Sequence, residues 1–133
     1  MTKASTYKVD PRGIEHRLLE LSSGRSFFAL YTSNSYPNSE KRYELIFGWG
    51  AREVFTDAEV DSDTLNDGWK FGFLGYELRT QFESVTQENE ALGQWPHTQF
   101  FTPEVAGVLH TDGTLEIWAE DAAAAEQAMR EVM

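Results

Sequence analysis

The sequence contains no cysteine, which excludes disulfide bonds, thiolate metal ligands and a cysteine nucleophile. It also has no apolar run near the roughly 20 residues that span a bilayer, and its opening segment, MTKASTYKVD, lacks the apolar centre of a signal peptide. Positive charge is scarce, because 11 Lys and Arg residues stand against 22 Asp and Glu residues, a net charge of -11. This surplus of negative charge repels phosphate backbones and anionic lipids. We therefore expect a cytoplasmic protein with neither a nucleic-acid nor a membrane partner.

Apolar and aromatic residues are plentiful. They make up 41% and 14% of the 133 residues, including four Trp, five Tyr and nine Phe. A chain of this length and composition can bury one hydrophobic core, unlike a disordered chain, which has too few large apolar residues to offset the entropy of ordering. The sequence therefore predicts one packed domain over residues 1–133.

The hydrophobic pattern predicts an α+β fold, with a mainly antiparallel sheet and a few flanking helices. The predicted strands lie near 26–33, 42–49, 69–76, 105–110 and 114–119. The predicted helices lie near 13–22, 77–84 and 121–132. Segment 26–33 is apolar on both sides, which is typical of an inner strand. Segment 42–49 places four apolar side chains on one face: Tyr43, Leu45, Phe47 and Trp49.

Local signals mark three of the boundaries between these elements. Asp112-Gly113 separates two β-type segments and predicts a tight hairpin whose two central residues both have positive φ. Asp121 precedes a run of good helix formers and is a candidate N-cap. At Tyr76 a glycine-rich aromatic strand pattern gives way to helix-forming residues, which predicts a strand-to-helix junction.

The sequence does not contain a complete catalytic site. The three histidines, His16, His97 and His110, fall on a polar helix face, in a loop and before a turn, so we predict that all three are solvated. No phosphate-binding glycine loop, paired-histidine zinc motif or calcium loop occurs.

One polar group is a candidate binding site. Ser33 and Asn34 lie at the end of one predicted strand, and Lys41 and Arg42 lie at the start of the next. Pairing of these strands would bring hydroxyl, amide and guanidinium groups together, as a receptor for an amino-acid carboxylate requires. The alternative from the same residues is that Ser33 and Asn34 make local turn hydrogen bonds and the two cations are solvated.

Four segments, in this order, resemble the N-terminal domain of component I of the aminodeoxychorismate (para-aminobenzoate) synthases, within the anthranilate synthase component I family. They are FFALYTSNSYP, RYELIFGWG, WKFGFLGYELRTQFES and FFTPEVAGVLHTDGTLEIWA, which cover most of residues 27–119. The most specific part is FGFLGYELRTQFE, because the family typically has a G-x-x-G-Y/F-[DE]-L run followed by a charged helix.

The resemblance implies a domain that is not catalytic alone. In the family, this domain precedes a longer chorismate-binding domain, which carries the catalytic residues and a magnesium site, and a glutamine amidotransferase subunit supplies ammonia. We therefore expect a single N-terminal domain over 1–133 that contains no cofactor itself. The last helical pattern still recurs at Met133 without a capping residue, which favours an interrupted domain boundary.

The resemblance also implies an effector site. The family's pocket for tryptophan has a serine at the position of Ser33, and its second wall corresponds to residues 40–43. The expected effector-binding residues are Ser33, Asn34, Lys41, Arg42 and Tyr43. Regulated anthranilate synthases usually have Leu-Glu-Ser where this chain has Tyr31-Thr32-Ser33, so a lost or altered effector is compatible with the pattern. An anthranilate synthase domain and a stand-alone binding module are the alternative functions.

Overall fold

The computed structural model describes residues 1–34, 42–57, 68–74 and 98–133. The described residues form two helices and nine strands with antiparallel pairing, which confirms the predicted α+β class. The chain divides into a larger unit, Met1–Ala51 with Pro103–Met133, and a smaller unit, Arg52–Thr102. The expectation of one N-terminal domain over 1–133 stays a prediction.

The elements are numbered in chain order. The strands are β1 (Thr2–Lys3), β2 (Tyr7–Lys8), β3 (Ala29–Thr32), β4 (Tyr43–Trp49), β5 (Glu53–Thr56), β6 (Phe71–Leu74), β7 (Thr98–Thr102), β8 (Val105–His110) and β9 (Thr114–Ala119). The helices are α1 (Pro11–Ser22) and α2 (Ala122–Val132). Neither helix is long and apolar enough to cross a membrane, and only the described residues were considered for this.

The larger unit is a sheet with both helices packed on one face. Its strand order is β1-β9-β8-β4-β3, and β2 also pairs with β9. The core contains Leu18 from α1, Met129 from α2 and Phe47 from β4, and each side chain is at most 2% exposed. Gly107 of β8 lies under the Phe47 ring, so closely that a Cβ there would be 2.2 Å from the ring Cζ.

Both helices begin at aspartate caps. Asp121 Oδ1 accepts a hydrogen bond from the Ala124 amide at 2.8 Å, as the sequence predicted. Helix α1 starts two residues earlier than predicted, since Asp10 Oδ1 accepts from the Arg12 amide and Pro11 supplies a helical φ at the first position.

The β8–β9 hairpin is confirmed at the predicted bounds, but its turn differs. The Gly113 amide donates to the His110 carbonyl at 3.0 Å, and in this turn Gly113 alone has a positive φ, 90°. The connection is a three-residue loop, and a loop of this length needs only one left-handed residue. The prediction that Asp112 also has a positive φ is therefore wrong.

Strand β3 is not the inner strand that its apolar pattern predicts. Among the described residues it pairs only with β4 and lies at one end of the sheet. It starts at Ala29 rather than near 26, because Phe27 has a φ of 50°, which extended backbone does not allow. Tyr31 is 50% exposed.

Strand β4 contains a bulge that changes the face of its first residue. Tyr43 lies opposite His110, whereas Leu45 lies opposite Leu109, so one extra residue, Glu44, stands between the two pairs. The bulge places Tyr43 with His110 rather than with Leu45, and this corrects the prediction that Tyr43, Leu45, Phe47 and Trp49 share a face.

The smaller unit has its own three-stranded antiparallel sheet, in the order β5-β7-β6. Segment 69–76 was predicted to join the main sheet, but its described part, β6, pairs with β7 instead. Strands β5 and β7 were not predicted. The expected junction at Tyr76 and the helix near 77–84 lie outside the described residues.

Candidate functional site

The candidate site lies where β3 ends and β4 begins in the larger unit. Ser33 follows β3 directly, and its amide donates to the Glu44 carbonyl at 3.0 Å. The Ser33 hydroxyl donates to Glu44 Oε2 at 2.9 Å, and both side chains are part-buried. Ser33 is therefore joined to the bulge residue of β4 by both its main chain and its side chain.

Asn34 makes the local turn that the second interpretation of the sequence expected. Its φ is 53°, a left-handed conformation that asparagine tolerates better than most residues. Its amide donates to Thr32 Oγ1 at 3.0 Å, and the residue is exposed. Asn34 therefore forms a turn at the end of the described segment.

Arg42 is exposed and lies beside the β8–β9 turn. Its carbonyl accepts a hydrogen bond from the Thr111 amide at 3.2 Å, which continues the β4–β8 pairing by one step. This bond fixes the main chain of Arg42 and leaves its side chain at the surface. Lys41, the other predicted cation, lies outside the described residues.

Tyr43 belongs to a line of contacts across four neighbouring strands, β4, β8, β9 and β1. Its ring centroid is 5.3 Å from that of His110, with a tilt of 49°. His110 Nε2 lies 3.3 Å from Glu116 Oε2, and Glu116 Oε1 lies 3.6 Å from Lys3 Nζ. Although this Nε2 is close to a carboxylate oxygen, it is buried and makes no hydrogen bond to any of the described residues.

The prediction that all three histidines are solvated is only partly confirmed. The His16 side chain is 79% exposed, as predicted. The His110 side chain is only 32% exposed and packs against Tyr43. Its half-buried position results from the β4 bulge, which brings an aromatic ring over it. His97 lies outside the described residues.

Sequence reasoning missed Glu44, His110 and Glu116 as members of this region. A signal for Glu44 was available, because it is the one charged residue within the apolar strand pattern of residues 43–49. No comparable signal identifies the pairing of His110 with Tyr43, because that pair depends on a bulge in a neighbouring strand.

The observed contacts change the chemistry expected of the site. The serine hydroxyl, which was expected to donate to a ligand carboxylate, donates to Glu44 instead. A carboxylate at this point attracts an ammonium group and repels an anion. Arg42, on the other side of Tyr43 in the sequence, provides the positive charge that a ligand carboxylate needs. The three consecutive residues 42–44 thus supply the group types that suit a zwitterionic aromatic amino acid.

No family model matches the chain, and no curated protein matches it either. Among the described residues, no group of three or more His, Asp or Glu side chains is arranged to hold a metal ion.

Proposed function

We propose that the chain is the non-catalytic N-terminal domain of an aminodeoxychorismate synthase component I. Such an enzyme is cytoplasmic and converts chorismate and ammonia from glutamine to 4-amino-4-deoxychorismate, for folate biosynthesis. One observation carries the proposal: three of the four similar segments contain β3, β4, β8 and β9, which are successive neighbours in one antiparallel sheet. The resemblance therefore follows a structural unit rather than scattered positions.

The chemistry of the proposed enzyme belongs to two partners. A chorismate-binding domain carries the catalytic residues and magnesium, and a glutamine amidotransferase subunit releases ammonia. In this proposal, the residues of this chain take part in no step of that reaction. Their role is structural and, through the end of β3 and the start of β4, effector binding.

The proposed effector is an aromatic amino acid, and the residues proposed to contact it are Ser33, Asn34, Lys41, Arg42 and Tyr43. Arg42 suits the ligand carboxylate, and Tyr43, which is 37% exposed, offers a ring edge for an aromatic side chain. Glu44, held by Ser33, suits the ammonium group. Each charged hydrogen bond contributes about 1.5 to 3 kcal/mol, before the entropic cost of ordering the ligand and side chains. In the family, part of the pocket belongs to the chorismate-binding domain, so this chain alone should bind the ligand weakly.

Turnover assays with chorismate, magnesium and either glutamine or ammonia test the proposal. The chain alone should give no product above the uncatalysed background. Addition of a chorismate-binding domain and the amidotransferase subunit should give 4-amino-4-deoxychorismate, detected as para-aminobenzoate after treatment with a lyase. Turnover by the chain alone would contradict the non-catalytic role.

Product identity separates the alternatives. Ortho-aminobenzoate from the assembled enzyme would assign the chain to the anthranilate branch. If sedimentation detects no association with either type of chorismate-binding domain, the chain is instead a stand-alone binding module.

A further inference from the structure

The ring of Tyr43 is restrained by its contact with His110. Main-chain pairing places the two residues opposite each other, and the Thr111 amide continues the pairing by donating to the Arg42 carbonyl at 3.2 Å. This pairing fixes the Tyr43 backbone but leaves the side chain free to choose among staggered rotamers. Among the described residues, no hydrogen bond holds the Tyr43 hydroxyl. The orientation of the ring therefore depends on packing against His110, whose ring centroid is 5.3 Å away.

The tilt between the two rings leaves part of the Tyr43 ring open. Aromatic rings attract each other when they are offset or tilted, with centroids about 4.5 to 7 Å apart, and this pair has an interplanar angle of 49°. Tyr43 remains 37% exposed although His110 packs against it. An aromatic ligand therefore has access to the part of the ring that His110 does not cover.

His110 is itself confined on the side away from Tyr43. Its Nε2 is buried and lies 3.3 Å from Glu116 Oε2, which leaves no room for the imidazole to move toward β9. The other carboxylate oxygen, Glu116 Oε1, lies 3.6 Å from Lys3 Nζ on β1. The imidazole is thus held between an aromatic ring on β4 and a carboxylate on β9.

The orientation of Tyr43 matters because this residue lies between the two charges of the proposed effector site, Arg42 and Glu44. A ring that is already held in one orientation loses little rotamer freedom when a ligand packs on it, so less of the binding energy is spent on ordering. His110 strengthens binding in this way without touching the ligand.

We infer that His110 is a positioning residue, whose imidazole fixes the Tyr43 ring in the orientation that receives an aromatic ligand. The identity of the ligand rests on the proposed function, whereas the effect of His110 on the Tyr43 ring does not.

Nuclear magnetic resonance of the chain with labelled tyrosine rings measures the effect on Tyr43. His110→Leu keeps most of the side-chain volume but has no ring, so the Tyr43 ring signals should move toward those of a freely rotating, solvated tyrosine. His110→Phe restores an aromatic ring and should restore most of the shift. Asp121→Ala, which removes the cap of α2, is the control for lost stability and should leave the Tyr43 signals unchanged. Unchanged Tyr43 signals in a folded His110→Leu variant would overturn the inference.

Tryptophan titration of the chain joined to its proposed chorismate-binding domain measures the effect on binding. His110→Leu should weaken binding about three- to tenfold, through loss of one aromatic contact that orders the site, and His110→Phe should recover most of this loss. Equal affinities of the wild-type protein and His110→Leu would overturn the inference and leave the effector site itself intact. If the wild-type protein does not bind tryptophan, the proposed effector role fails, and the Tyr43 signals then decide whether His110 positions this ring.

Discussion

The Ser33 hydroxyl donates a hydrogen bond to Glu44 Oε2 at 2.9 Å, in addition to the main-chain bond between the same two residues. This double link joins the residue that follows β3 to the bulge residue of β4. The same bulge places Tyr43 opposite His110, so the Ser33–Glu44 link and the Tyr43–His110 contact lie next to each other at the start of β4.

Ser33→Ala should lower the free energy of unfolding by about 1 kcal/mol, since the part-buried Glu44 carboxylate loses a donor. Urea unfolding measures the change. The matching variants are Glu44→Gln and the double variant, which form a double-mutant cycle. Strict additivity of the two single effects would show that the bond does not stabilise the fold.

Gly107→Ala should destabilise the larger unit by about 1 to 3 kcal/mol, because the new Cβ overlaps the buried Phe47 ring. Thermal unfolding should show the loss, and combining it with Phe47→Leu should recover part of it. Gly24→Ala is the control, since its Cβ would meet no atom closer than 4.0 Å. Equal stability of Gly107→Ala and Gly24→Ala would contradict the close packing described for Gly107.

The stability of the folded protein should depend on pH through Asp112, in the β8–β9 turn. Hydrogen bonds from the Thr114 side chain and amide, and then the nearby Lys8, lower the pKa of Asp112 from 3.8 to about 2. A carboxyl group whose pKa is lowered by folding stabilises the folded state at pH values above its ordinary pKa of 3.8. This contribution is lost as the pH falls from 3.8 through about 2. Asp112→Asn should therefore lower the melting temperature slightly near neutral pH. The difference should shrink as the pH falls from 3.8 through about 2, and a difference as large at pH 2 as at neutral pH would refute this interpretation.

Asp121→Ala should cost about 1 kcal/mol, because the Ala124 amide at the start of α2 loses its acceptor. Chemical unfolding measures the loss, with Glu120→Ala as the exposed neighbouring control. If both variants have the same stability, the cap does not contribute.

Elements with strong local signals were predictable from the sequence. The Asp121 cap and the Asp112-Gly113 turn gave α2 and the β8–β9 hairpin at the right places. Each of these features depends on neighbours within a few residues, where turn and capping preferences decide the conformation.

Elements that depend on distant partners were not predictable. Strand β5 pairs with β7 about 45 residues away in the sequence, and neither has a strong local alternation. The bulge at Glu44 depends on the register between β4 and β8. The sequence-based prediction of a binding site therefore placed Ser33 near the start of β4 but missed its hydrogen bond to Glu44.

The most direct test of the effector role is tryptophan titration by calorimetry. The protein to use is this chain joined to its proposed chorismate-binding domain. The account predicts binding that Arg42→Ala weakens at least about tenfold, through loss of a charged hydrogen bond, and affinity no better than millimolar for the present chain alone. Binding that is unchanged in Arg42→Ala would remove this residue from the site. No binding by either protein would contradict the proposal that the end of β3 and the start of β4 form an effector pocket.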